Sequence, residues 1–237
     1  MRTKSKSIVA ALLALLVIAL LAYGLGWSKL FAVDSISFQG TDRIELITNQ
    51  LSQAKSNLII GEPLARVNPR TQEKIITELE WVASAKMTRN WRSGRVVIEI
   101  EPRIPVAVFS QLDLKSNQPR YLGSDGVEFS DPKSYSNLAV ISLGQATLDQ
   151  RKQVAYFVSN LPGNLVSALS GIEISKTGVI KMQSNLRKPD LNIIWGSDNS
   201  ATDITMKSRV LIGLLALPEN KKISEIDLTF VDSPIVK

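Results

Sequence analysis

The 237-residue chain has no cysteine and no histidine. A thiol nucleophile, a Ser-His-Asp triad, a Cys-His pair and a thiolate or imidazole zinc site are therefore excluded within it. No disulfide can staple the fold, so a folded body must rest on its own core. Acid is missing from residues 1–29, and every charged side chain is missing from Ile8–Trp27. Four of the 28 basic residues lie in that acid-free segment; the rest of the chain carries 24 against 22 acids. The net charge of +6 thus leaves a body of only about +2, and bulk charge gives no support to a nucleic-acid face.

Ile8–Trp27 is 20 residues long and apolar except for Gly24 and Gly26. As a helix it would rise about 30 Å, the thickness of a bilayer core. Secretory signals usually have a shorter apolar region, about 7–15 residues. The run therefore predicts a retained single span over 8–27 after a cytoplasmic tail at 1–7. Arg2, Lys4 and Lys6 would hold the N-terminus inside, and Trp27 would mark the outer interface. The expected location is the plasma membrane, with the body extracytoplasmic.

The next residues predict a small α+β unit over 31–105. Val33–Phe38 alternates with period two and stops at Gly40, which reads as a strand. Asp42 and Glu45 read as a capping box before Ile44, Ile47 and Leu51 at helical spacing. Asn68-Pro69 starts a second helix as N-cap and N1 residues. Ala85–Arg89 alternates, Arg92-Ser93-Gly94 turns, and Arg95–Glu101 is a strand ended by Pro102 and Pro105. The order is β-α-α-β-β: a small sheet with both helices on one face.

A second unit, 106–237, predicts a mixed β-domain with two or more helices. Asp125-Gly126 turns a hairpin over Arg120–Phe129, and Leu138–Ile141 is a short strand. Thr147 with Gln150 caps a helix to about Asn160. Thr177-Gly178 joins Ile172–Ser175 to Val179–Met182. Leu191–Gly196 is a strand, and Ser200 with Asp203 opens a helix bearing Val210, Leu211, Leu214 and Leu215. Ile223–Phe230 alternates apolar and polar, as a closing edge strand.

Several of these segments carry a family resemblance. Phe31–Gly40 is similar to the start of an FtsQ-type POTRA domain. Ile60–Asn68 resembles a G-x-x-L-x-x-V-[DN] element, Leu79–Trp91 resembles L-P-W-V-x-x-A-x-V-x-R-x-W-P, and Glu99–Ala107 resembles V-x-E-R-x-P-V-A. Glu80 and Arg92 stand where that pattern has proline, and Pro102 precedes Arg103. Leu122–Phe129 resembles L-V-D-x-x-G-x-x-F, and Ile223–Phe230 resembles I-x-x-I-D-[LV]-x-[FY]. Trp195-Gly196, then Lys207 and Leu211, fit a hydrophobic-Gly and Lys-x-x-x-L pattern. In order and spacing the whole resembles the FtsQ/DivIB family of bacterial cell-division proteins.

The resemblance implies a non-enzymatic divisome scaffold at the septum. It would recruit and bridge division proteins and link them to peptidoglycan synthesis. Its partners would be FtsB and FtsL-like coiled-coil proteins at the terminal strand and preceding helix, and other divisome proteins at the POTRA unit. The matching positions are Lys207, Ile226, Leu228, Thr229, Phe230, Val231 and Asp232, with Phe230 as the aromatic contact. A membrane contact through one helix is implied, with no nucleic acid, small-molecule substrate, cofactor or metal. A terminal strand suits such a role because its outer N–H and C=O groups can receive an added strand.

Other readings weigh less. Trp81 and Trp91 fit better as filling between the second helix and the sheet than as binding anchors. Glu99 and Glu101 share one strand face, more naturally a solvated face than a catalytic pair. Asp125 suits a turn better than a cation site, and Lys207 suits a surface or salt-bridging role. Ser-Lys chemistry needs no histidine, but Ser167, Ser170 and Lys176 form no clear converging set. A POTRA-bearing translocation component would need a β-barrel that no segment supplies. An anchored hydrolase would need carboxylates or Ser-Lys.

Overall fold

A computed structural model describes residues 12–19, 23–24, 31–110, 118–184, 190–197 and 199–237. Arg2, Lys4, Lys6 and Trp27 lie outside the described residues. Within the apolar run, residues 12–19 form a helix, α1, with exposed side chains. The expected transmembrane helix is not supported. Among the described residues no helix is long and apolar enough to cross a membrane. The described stretch 12–19 by itself rises about 12 Å at 1.5 Å per residue, against about 30 Å for a bilayer core.

The chain is α+β and divides into two units, Met1–Pro102 and Arg103–Lys237. The first contains β1 (Ser35–Gln39), α2 (Ile44–Gln53), α3 (Pro69–Thr77), β2 (Val82–Asn90) and β3 (Arg95–Pro102). Its sheet runs β1-β3-β2, with β1 parallel to β3 and β2 antiparallel to it. Ile47, Leu51, Ile76, Met87, Val96, Ile98 and Ile100 are buried, so both helices and alternate strand residues share one core. Asn68 caps α3 by accepting from Arg70 N, with Pro69 at N1. The capping box expected at Asp42 does not form: α2 starts from Arg43 with no side-chain cap. Arg43 N donates instead to Thr41 Oγ1 at 3.1 Å.

The second unit contains β4 (Pro105–Phe109), β5 (Arg120–Gly123), β6 (Glu128–Ser130), β7 (Ala139–Ser142), α4 (Leu148–Asn160), α5 (Gly163–Val166) and β8 (Leu169–Ile174). It continues with β9 (Ile180–Ser184), β10 (Leu191–Gly196), α6 (Ala201–Ala216), a 3-10 turn (Pro218–Lys222), β11 (Glu225–Asp227) and β12 (Ile235–Val236). Its nine strands form one mixed sheet in the order β12-β11-β10-β9-β8-β7-β4-β5-β6. Three pairs are parallel: in the chain the β5–β6 hairpin lies between β4 and β7, α4 crosses between β7 and β8, and α6 crosses between β10 and β11. Val154, Phe157, Ile204 and Leu211 from these helices meet Ile172, Met182, Ile193 and Trp195 in one core. Thr147/Gln150 and Ser200/Asp203 both form the expected capping boxes. The strand β4 follows directly on the prolines that had read as a stop. Pro105 is its first residue, a position where the missing N–H is tolerated.

Candidate functional site

The predicted partner-binding residues gather where α6, β10 and the end of the chain meet. Asn192 to Ile194 of β10 pair in parallel with Glu225 to Asp227 of β11. Asn192 N donates to Ser224 O and Leu228 N donates to Ile194 O, at 2.9 and 2.7 Å. Ile226 and Leu228 are fully buried, so they hold the segment in the core and cannot themselves touch a partner.

The strand then stops at Asp227, three residues before Phe230, where the alternation from Ile223 ends. Asp227 accepts from Thr229 N at 2.8 Å through Oδ1. This side-chain turn takes the backbone out of the ladder. The chain reverses and returns as β12, which pairs antiparallel with β11 through Ile226/Val236 and Asp227/Ile235. Lys237 N donates to Glu225 O at 2.9 Å, and Lys237 Nζ bonds Glu225 Oε1 at 2.8 Å. The expected terminal edge, Ile223–Phe230, is therefore corrected. β11 is an inner strand, and the last strand in the sheet order is the two-residue β12. No alternation signals so short a return strand.

At the reversal Phe230 is 75% exposed, Asp232 is exposed, and Thr229 and Val231 are half-buried. Ile235 and Val236 of β12 are also exposed. The Asp227 carboxyl is held below its ordinary value. The Thr229 side-chain hydrogen bond is the main cause, partly opposed by burial, with the Thr229 N–H and the charges of Lys237 and Lys207 adding to it. Its hydrogen bond to Glu225 raises Lys237.

Lys207 is not the surface lysine its polarity suggests. It is 3% exposed, and its Nζ donates to Trp195 O at 2.7 Å while lying 5.8 Å from the Trp195 ring centroid. Burial of an ammonium is tolerable only with such partners. The space exists because residue 196 is glycine. Its φ is +96°, and an added Cβ would lie 3.2 Å from Thr229 Cα and 3.3 Å from Lys207 Nζ. Trp195, Gly196, Lys207 and Thr229 thus form one packed node beneath the turn. Trp195 also meets Phe157 edge-on at 5.1 Å.

The remaining sequence candidates separate. Trp81 is buried as expected, with Arg43 4.7 Å from its ring centroid. Trp91 is not the buried filler that was expected: it is 40% exposed. Glu99 and Glu101 are exposed, and Glu101 accepts from Ser84 Oγ at 2.9 Å. Asp125 forms an ion pair with Arg103 and accepts from Val127 N at 3.1 Å, as a turn residue does. Ser167 Oγ donates to Asn164 O at 3.1 Å, which occupies it within its own turn. Sequence reading missed Arg89, whose Nη1 donates to Leu64 O and Val67 O, each at 2.7 Å. Its only signal was its place in the Arg-x-Trp motif.

No protein-family model matches the chain, and no curated protein does. Among solved structures it has a weak likeness to the major extracytoplasmic domain of the trans isomer of the bacterial cell division protein DivIB from Geobacillus stearothermophilus. The TM-score is 0.30 at 13% sequence identity, over 40% of this chain and 80% of that one.

Proposed function

We propose that the chain is a non-enzymatic scaffold of bacterial cell division whose terminal hairpin captures an FtsB–FtsL coiled coil. The observation that carries this reading is the exposed apolar edge formed by Phe230, Ile235 and Val236 at the end of the sheet. Its outermost strand can accept an added strand through main-chain hydrogen bonds, with neighbouring side chains setting specificity. Motif order and spacing support the family reading. In this scheme Ile226, Leu228 and Lys207 hold the hairpin in place. Thr229, Phe230, Val231 and Asp232 meet the partner. The first unit meets other division proteins, and the assembly works at the septum, where it bridges to peptidoglycan synthesis.

The test is co-purification of the full chain with its cognate FtsB–FtsL pair. Phe230→Ala is expected to lower capture at least tenfold while the far-ultraviolet spectrum and melting temperature stay unchanged. Undiminished capture by Phe230→Ala together with Ile235→Glu sinks the assignment.

A further inference from the structure

The tip of the β2–β3 hairpin is a second surface, unrelated to the terminal edge. Its turn is Trp91-Arg92-Ser93-Gly94, and Asn90 Oδ1 accepts from Arg92 N at 3.0 Å and Ser93 N at 3.1 Å. Gly94, with φ +68°, accepts from Asp34 N at 2.9 Å, and an added Cβ would lie 2.7 Å from Ala32 O. The tip is therefore pinned to residues 32–34 and held in shape.

Its composition is aromatic and cationic. Trp91 and Phe31 meet edge-on at 6.5 Å, and both rings are exposed. Arg89 lies 5.1 Å from the Trp91 ring centroid, and Arg92 and Arg95 are exposed beside it. Asp34 borders the tip at Gly94. Glu99 and Glu101 lie further along β3, about 13 and 20 Å from Arg95 at the usual strand rise. Positive charge is thus concentrated at one end of the hairpin.

We infer that this tip docks on an anionic phospholipid surface. Guanidinium groups match headgroup phosphates, and exposed aromatic rings favour the boundary between headgroups and acyl chains. A soluble polyanion without stacking bases would satisfy the arginines but leave the two rings in water, and the near-neutral bulk charge of the body gives no support to a nucleic acid. A lipid surface also suits α1, whose exposed Leu12, Leu13, Leu15, Leu16 and Ile18 lie shortly before Phe31 in the chain.

The experiment mixes the full chain with brominated vesicles of phosphatidylcholine, with and without phosphatidylglycerol. The emission of Trp91 is taken as the difference between the native chain and Trp91→Phe. Quenching of that emission on phosphatidylglycerol vesicles only, lost at high salt, is the expected result. Arg92→Gln with Arg95→Gln should weaken this binding about 30-fold, at roughly one interaction per arginine. Arg92→Lys with Arg95→Lys, which keeps the charge, should restore it. Three results overturn the inference: Trp91 unquenched on phosphatidylglycerol vesicles, quenching unchanged in the glutamine variant, or arginine-dependent capture of a single-stranded oligonucleotide or polyglutamate without any quenching by lipid.

Discussion

In the first unit Arg89 reaches from β2 to two carbonyls of the loop at 64–67. In the second, Lys207 reaches from α6 to the carbonyl of Trp195 on β10. Both are cations that tie main-chain acceptors, and both lie next to a tryptophan ring. They differ in setting. Arg89 is half-buried, and its Nη1 alone serves both acceptors while part of the side chain stays wet. Lys207 is sealed in and depends on a carbonyl, a ring face and a nearby carboxylate. The arginine closes a loop over a sheet and leaves Trp91 outside. The lysine ties α6 to the inner strand β10 beside the terminal turn. The lesson is that a sealed-in ammonium makes its strand dependent on every partner around it, whereas a half-wet guanidinium makes a closure that tolerates change.

The largest effect is expected at the lysine. Lys207→Ala removes the donor and leaves a void, and should destabilise the chain by about 3 kcal/mol in denaturant titration. Lys207→Met, which refills the volume, should recover about half. A cost under about 0.5 kcal/mol for the alanine variant would mean that Lys207 is as dispensable as a surface lysine. Gly196→Ala should follow, at about 2 kcal/mol, because φ is +96° and Thr229 stands in the way. Arg89→Lys should cost about 1 kcal/mol, since the shorter ammonium arm falls short of the Nη1 position and gives up the planar group beside the Trp91 ring. Faster amide exchange confined to residues 64–67 would locate that loss.

The smallest effects belong to the exposed turn. Asp227 is held below its ordinary value, so its contribution is fully present above the usual carboxylate range. It is lost as pH falls through the depressed folded value. Asp227→Asn should remove that acid dependence, read as proteolytic nicking of 228–237 against pH. Lys237 runs the other way: its folded value is raised, so its contribution is present below its ordinary value and fades as pH climbs past the raised one. Phe230→Ala should change stability by less than about 0.5 kcal/mol, which separates its surface role from the buried one of Lys207.

What the sequence made legible was local. Arg95–Glu101 and Leu191–Gly196 alternate because one side of each strand is buried, and the structure has strands there. Thr147/Gln150 and Ser200/Asp203 cap helices with atoms three residues apart, so no distant contact is needed. What escaped was tertiary. β4 hid behind Pro102 and Pro105, since only its neighbours β5 and β7 reveal it as a strand. The return of β12 depends on the Asp227–Thr229 turn, which overrides the alternation through Phe230. The burial of Lys207 is set by a carbonyl 12 residues away in sequence. The uncharged run at 8–27 carried a strong compositional signal. Among the described residues no helix is long and apolar enough to cross a membrane.

Gly196, Lys207 and Thr229 come from a strand, a helix and a turn, yet Lys207 and Thr229 both close on the space beside Gly196. A side chain added at 196 meets the other two at once, and a shorter residue at 207 would open room for one. The effect of a change at any of the three therefore depends on which residues occupy the others. Genetic drift at this node should proceed by compensated steps, with the order of substitutions deciding which ones survive.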